Sequence, residues 1–168
     1  TLQRDDGSFG ELVYDGVIEG GRDMRHCYLA AAIRWILNGD AKENEAFDFD
    51  IEKLVDHVRS GQAYDGGISE SSEQESNAGY AYCAIGALSL LGRLLDPSSV
   101  NAKNSEATSV LTNMQGTIHW LASRQVEYVE SDHDEGSNGT DDLYVGFNGR
   151  WNKLADTCYS FWVTASLD

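Results

Sequence analysis

Three glycine turns set the frame of this chain. Gln3-Arg4-Asp5-Asp6-Gly7-Ser8-Phe9-Gly10 is repeated in outline by Gln62-Ala63-Tyr64-Asp65-Gly66-Gly67-Ile68, and Gly146-Phe147-Asn148-Gly149-Arg150 is a looser third copy. After each turn comes a helical pattern whose first turns hold cysteine and tyrosine together: Cys27-Tyr28, Tyr82-Cys83 and Cys158-Tyr159. An Asp-Gly turn supplies positive φ at little cost and lets a helix restart close by. One turn, one inner helix and one outer helix then make a unit. Stacked units predict an array or ring of helical hairpins.

Periodicity supports the helices. Ile51, Leu54, Val55 and Val58 form an i, i+3, i+4, i+7 stripe, as do Val110, Leu111, Met114, Ile118 and Leu121. Ile85, Leu88, Leu91 and Leu95 mark a more apolar helix, and Met24 to Leu37 is similar. Helices are expected near 23–38, 48–60, 77–94, 107–124 and from 156 onward, with no clear strand alternation. The less polar helices, opening at Asp23, Asn77 and Asp156, should line the inside, and those at 48–60 and 107–124 the outside. The inner starts would converge on the mouth of a central cavity. Residues 127–145 read as an acidic, solvated loop insertion, and Glu70 to Glu75 as a smaller one.

The chain of 168 residues is long enough for one domain with a core. A net charge of −16 argues against nucleic acid or an anionic membrane as a direct partner. The odd cysteine set, Cys27, Cys83 and Cys158, fits reduced thiols in a cytoplasmic protein. No apolar run approaches transmembrane length. The chain starts at Thr1 and ends at Asp168 without a helix stop, so it is expected to be one segment, 1–168, of a longer polypeptide truncated at both ends.

Chemistry-bearing residues concentrate in Arg150 to Trp162. Arg150 and Lys153 precede a helix start, where cations and free backbone N–H groups can hold an anion; two solvated charges are the alternative. Asp156 and Cys158 are both good zinc ligands. On a regular helix they would point about 200° apart, so they reach one metal only if Asp156 sits at the cap or before it. The competing reading makes Asp156 an N-cap and Cys158 a small core residue. Phe161 and Trp162 suit either a core or an apolar tunnel.

In combination these residues are more specific. Gly149-Arg150-x-Asn152-Lys153-x-x-Asp156-x-Cys158-Tyr159-Ser160-Phe161-Trp162 closely resembles the signature of the protein prenyltransferase β subunits. Asp23-Met24-Arg25-x-x-Tyr28 resembles their earlier inner-helix motif. Tyr64-Asp65-Gly66-Gly67, followed by Glu75-Ser76-x-x-Gly79-x-x-x-Cys83, resembles a third. The order agrees across essentially the whole chain. The wording is most similar to protein geranylgeranyltransferase type I, then farnesyltransferase, then Rab geranylgeranyltransferase.

The resemblance implies an all-α fold, the α-α toroid, here as a partial ring. It implies zinc held by Asp156 and Cys158, with a third ligand, a histidine, expected beyond residue 168; His26, His57, His119 and His133 do not occupy its place. Lys153, Tyr159 and Arg150 would be the catalytic contacts to the diphosphate of a prenyl donor. Arg25, Tyr28, Gly79, Cys83 and Trp162 would line the isoprenoid and peptide cavity. The implied reaction joins a CaaX cysteine of a small GTPase, such as the Rho family, to C1 of geranylgeranyl diphosphate, with zinc lowering the thiol pKa. An α subunit would complete a heterodimer, and any use of magnesium would depend on downstream residues. One position departs: Asn77 stands where the family usually has a diphosphate-contacting histidine, so it can donate a hydrogen bond but brings no charge. A farnesyltransferase, a non-catalytic toroid binding module and a terpene-cyclase-like enzyme are the other readings. The last lacks its Asp-rich acid motif here.

Overall fold

Every α-helix among the described residues starts on an Asp or Asn whose side chain accepts a backbone N–H. The computed structural model describes residues 2–37, 48–95, 109–129 and 143–168. Its helices are α1 (Met24–Ile36), α2 (Ile51–Ser60), α3 (Ala78–Leu90), α4 (Met114–Ala122) and α5 (Thr157–Leu167), with strands β1 (Leu12–Tyr14), β2 (Val17–Glu19), β3 (Gln125–Val129) and β4 (Leu143–Phe147). The caps fall into two classes. Asp23, Asn77 and Asp156 accept from two residues on, at Arg25, Gly79 and Cys158, and open α1, α3 and α5. Asp50 and Asn113 accept from three residues on, at Lys53 and Gly116, and open α2 and α4. The inner and outer helices expected from polarity are thus also distinguished by cap geometry. Residues 107 and 108, part of the expected fourth helix, lie outside the described residues.

The turns close with one recurring set of backbone bonds. Gln3 pairs antiparallel with Phe9, Gln62 with Ile68, and Gln125 with Phe147. The next residue donates to the carbonyl before the glutamine: Gly10 to Leu2 at 3.0 Å, Ser69 to Gly61 at 3.0 Å, and Asn148 to Arg124 at 2.9 Å. The third repeat therefore begins at Gln125, and the segment expected to be an insertion falls inside its turn. Its flanks are not irregular: β3 and β4 pair along five residues each. Residues 130–142 of that insertion lie outside the described residues.

The expectation of no strands is also corrected at β1 and β2. Leu12-Val13-Tyr14 and Val17-Ile18-Glu19 pair through Asp15 (φ 48°) and Gly16 (φ 79°), the left-handed pair that matches strand twist in a two-residue hairpin. Arg4 fastens this hairpin to the first turn, donating to the carbonyls of Ile18, Gly20 and Gly21.

Between turn and outer helix the contact is a glutamine clasp. Gln3 donates to the Asp50 carbonyl and accepts the Asp50 N–H, both at 2.8 Å. Gln62 does the same to Asn113 at 3.0 Å each way and also donates to Thr117 Oγ1 at 2.7 Å. Each clasp thus grips the residue that caps the next outer helix. Beside it, Gly66 (φ 89°) lies against the α4 backbone, where an added Cβ would sit 2.5 Å from the Gly116 carbonyl. Gly7 stands in the same relation to Lys53 of α2.

α3 packs between α1 and α5, and α4 lies against α5. The buried core includes Met24, Cys27 and Ala31 of α1, Leu54, Val55 and Val58 of α2, Ala81, Ala84 and Leu88 of α3, Trp120 and Leu121 of α4, and Val163 of α5. Several expected core positions are not buried: Ile33, Ile36, Leu37 and Ile118 are exposed. Leu95 is exposed as well, because α3 stops early. There Arg93 N–H bonds the Leu88 carbonyl and Gly92 N–H the Ser89 carbonyl, with Gly92 at φ 64°, a helix-terminating motif. No helix among the described residues is long and apolar enough to cross a membrane.

Replacing Gln62 with Leu keeps the bulk and removes the clasp, which should cost about 1–3 kcal/mol because the Asn113 backbone groups and Thr117 lose partners. Gly66→Ala should cost about as much or more, from strain at positive φ and the close α4 backbone. Both should lower the urea midpoint. Unchanged midpoints would show that the turns do not hold the outer helices.

Candidate functional site

The mouth formed by α1, α3 and α5 contains a cavity of about 550 Å³, lined by Arg25, Tyr28 and Leu29 of α1, by Asn77, Gly79, Tyr80, Tyr82 and Cys83 at the start of α3, and by Tyr159 and Trp162 of α5. Its wall is a chain of rings. Tyr28 and Tyr82 centroids are 5.6 Å apart, Tyr82 lies 4.9 Å from Trp162 and 5.4 Å from Phe161. Hydrogen bonding with Tyr28, then burial, pushes the Tyr82 hydroxyl up to about 12, so it stays protonated and can donate. The Cys83 thiol is pushed up to about 11, chiefly by burial, and is inert. Leu29, Tyr80 and Tyr82 were not singled out from sequence as lining residues, although Tyr82 belongs to the Tyr-Cys pair that marks each inner helix start.

Polar groups gather at the helix starts. Buried Asp23 accepts two hydrogen bonds from the Arg25 side chain, each 2.9 Å, besides capping α1. Burial works against its ionisation, but the Arg25 side chain and backbone bonds outweigh it and hold the carboxyl below its usual range. Arg25 is raised in turn by Asp23 and remains a cation. Asn77 Oδ1 is used as the α3 cap, at 2.8 Å from Gly79 N, which leaves its amide N–H₂ as a donor.

Arg150 and Lys153 ride on the turn before α5. Asn148 Nδ2 donates to the Lys153 carbonyl at 3.2 Å, Ala78 N–H to the Gly149 carbonyl at 2.9 Å, and Asp156 N–H to the Phe147 carbonyl at 3.0 Å. Gly149 has no side chain because the Tyr159 ring occupies that place, 2.1 Å from where a Cβ would be. Arg150 is paired with Glu75, and Lys153 is exposed on the same turn. Neither lines the cavity.

Asp156 and Cys158 converge. The extended backbone of Asp156 (φ −143°, ψ 140°) places it at the cap, where Oδ1 accepts the Cys158 N–H at 3.0 Å. The Cys158 thiol also hydrogen-bonds this carboxylate; desolvation first, then that bond and its charge, raise the thiol. Backbone bonding from Cys158 lowers Asp156. Asp156 is thus the N-cap, and the core reading of Cys158 is corrected: the residue is exposed. The pair supplies two ligands of the kind zinc takes. Among the described residues no group of three His, Cys, Asp or Glu side chains could hold a metal. His57 is buried against the Arg22 carbonyl at 2.9 Å, and His133 lies outside the described residues.

A family model, the prenyltransferase alpha-alpha toroid domain, matches residues 1–168. The chain belongs to this family. Curated relatives of the toroid include the geranylgeranyl transferase type-1 subunit beta of Arabidopsis thaliana, 32% identical over 167 residues, 99% of this chain and 36% of the relative. The protein farnesyltransferase subunit beta of Pyricularia oryzae is 38% identical over 152 residues, 86% of this chain and 25% of the relative. Among solved structures, Candida albicans protein geranylgeranyltransferase-I complexed with GGPP superposes with a TM-score of 0.69 at 30% identity, covering 98% of this chain and 42% of that one. The chain thus spans about a quarter to two fifths of the length of these proteins.

Cysteine accessibility gives a direct check on the mouth of the toroid. Iodoacetamide should label Cys158 well before Cys27 and Cys83, whose burial pushes their thiols up to about 12 and about 11. The Cys158 rate should keep rising with pH past the ordinary thiol range, because its thiol is raised. Equal labelling of all three, by mass spectrometry of tryptic peptides, would contradict the geometry.

Proposed function

We propose that this chain is part of the catalytic β subunit of a protein prenyltransferase of the geranylgeranyl type I class. The observation that carries the reading is the ring-lined cavity at the starts of α1, α3 and α5, long-walled in Tyr28, Tyr82 and Trp162 and polar at Arg25 and Asn77. Such a cavity suits a molecule with an apolar chain and an anionic head. A solved relative covering nearly the whole chain is complexed with GGPP, which supports a twenty-carbon donor. The Pyricularia oryzae farnesyltransferase subunit beta, at 38% identity, keeps a fifteen-carbon donor as the second reading.

On this reading the isoprenoid lies along Tyr28, Tyr82 and Trp162, which exclude water from the allylic carbon. Arg150, Lys153 and Tyr159 hold the diphosphate, with Asn77 contributing an N–H donor. The Arg150–Glu75 pair is exposed, and a pair of that kind is worth at most about 1 kcal/mol, so the guanidinium can exchange Glu75 for a ligand anion. Asp156 and Cys158 would hold zinc, which when bound lowers the pKa of a substrate cysteine so that a thiolate is present at neutral pH. As the thiolate sulfur bonds to C1 and the C1–O bond breaks, charge grows on the departing diphosphate, and the two cations and the tyrosine hydroxyl would stabilise that charge. An α subunit and a CaaX protein of the small-GTPase class complete the reading as partners, and magnesium is left to the rest of the protein.

The test uses the full-length protein with its α partner, zinc, and peptides ending in a CaaX sequence. Geranylgeranyl transfer to a peptide ending in Leu should exceed farnesyl transfer. Lys153→Ala should lower kcat by roughly 10²-fold, and Cys158→Ala should remove bound zinc. Preference for the fifteen-carbon donor would establish the second reading, and turnover indifferent to both substitutions would refute the assignment of the site.

A further inference from the structure

Arg124 is a fully buried arginine that forms no salt bridge among the described residues, and the Asp65 carboxylate is the charge that acts on it. Its guanidinium is sandwiched between two indoles, 4.5 Å from the Trp120 ring centre and 3.8 Å from that of Trp151. Nε donates to the Trp120 carbonyl at 3.2 Å and Nη2 to Ser123 Oγ at 3.2 Å, while Nη1 has no hydrogen-bond partner among the described residues. The two aromatic faces add cation–π attraction to the pull of the Asp65 carboxylate, which both indoles also touch. Trp151 has a second hold: its Nε1 donates to Asp65 Oδ2 at 3.3 Å, the oxygen that also accepts Trp120 Nε1 at 2.9 Å. The other Asp65 oxygen accepts Gly67 N–H and the Ser76 hydroxyl, one residue before the α3 cap.

Trp151 lies between Arg150 and Lys153 in sequence, and its ring is anchored on groups from the second turn and the end of α4. Within the turn Asn152 holds a left-handed φ of 57°, which asparagine adopts more readily than most residues. Yet Trp151 is half exposed and lies outside the ring-lined cavity, so core packing does not account for it. We propose that Trp151, clamped between Arg124 and Asp65, is a positioning residue that fixes the turn carrying Arg150 and Lys153 for diphosphate binding.

This rests on the proposed role of Arg150 and Lys153, and two readouts on the full-length protein with its α partner separate the two ideas. The first is affinity for geranylgeranyl diphosphate, with the metal content measured in parallel. Trp151→Ala should weaken binding by roughly tenfold, and Trp151→Phe, which keeps a ring on Arg124 but loses the bond to Asp65, by about threefold. Zinc content should be nearly unchanged, while the thermal midpoint should fall modestly, because buried Arg124 loses one of its two rings. The second is trypsin cleavage after Arg150 and Lys153 in the ligand-free protein, which Asp65→Asn and Trp151→Ala should accelerate several-fold as the turn opens. Faster cleavage in a protein whose wild type does not bind the diphosphate would support the clamp and refute the role given to the cations. Diphosphate affinity unchanged in Trp151→Ala, or cleavage unchanged in both variants, would overturn the clamp.

Discussion

The amide of Gln62, bonded at both ends to the backbone of Asn113, is the contact on which the arrangement depends. It ties the start of one turn to the residue that caps the next outer helix, and Gln3 repeats it on Asp50. Once the outer helix is pinned there, the chain after the turn has one direction to go. The residues following Phe9, Ile68 and Phe147 return to the carbonyls before Gln3, Gln62 and Gln125, and each inner helix begins a few residues later. The repeated bond therefore fixes where α1, α3 and α5 start relative to each other.

That placement makes the cavity. Three Asp or Asn caps accept from the second residue of their helices, so the starts of the inner helices are built alike. Side chains one turn further on, Tyr28, Tyr82 and Trp162, stack into one aromatic wall. The same caps do different chemical work. Asp23 orients a cation, Asn77 keeps a spare N–H₂ group, and Asp156 meets an exposed thiol. One structural device thus sets three kinds of polar group at the starts of the three inner helices.

Much of this was legible in the sequence. Amphipathic stripes located the two outer helices, and apolar segments following the glycine turns located the three inner ones. Arg25, Tyr28, Gly79, Cys83 and Trp162, read as lining residues, border the cavity, as do Asn77 and Tyr159, read as diphosphate contacts, whereas Arg150 and Lys153 do not. Other features were hidden for identifiable reasons. The hairpin at Asp15-Gly16 was overlooked because its strands are only three residues long, despite a strong turn signal. Gln125 was missed as the third turn because its partner Phe147 lies beyond a long acidic stretch. The pairing of Arg150 with Glu75, and the burial of Arg124 between Trp120 and Trp151, join residues far apart in sequence that no local pattern connects. Cys158 sits in an apolar pattern yet is exposed, a surroundings-dependent property that the local pattern does not reveal.

The central claim is that the cavity at the starts of α1, α3 and α5 holds the apolar chain of a prenyl diphosphate. A photoreactive prenyl diphosphate analogue, cross-linked to the full-length protein in complex and mapped by mass spectrometry, tests it most directly. The account predicts labels concentrated on the peptides bearing Tyr28, Tyr82 and Trp162, suppressed by excess geranylgeranyl diphosphate. Labelling confined to other surfaces, such as the acidic pocket around Tyr64 and Glu73, would contradict it.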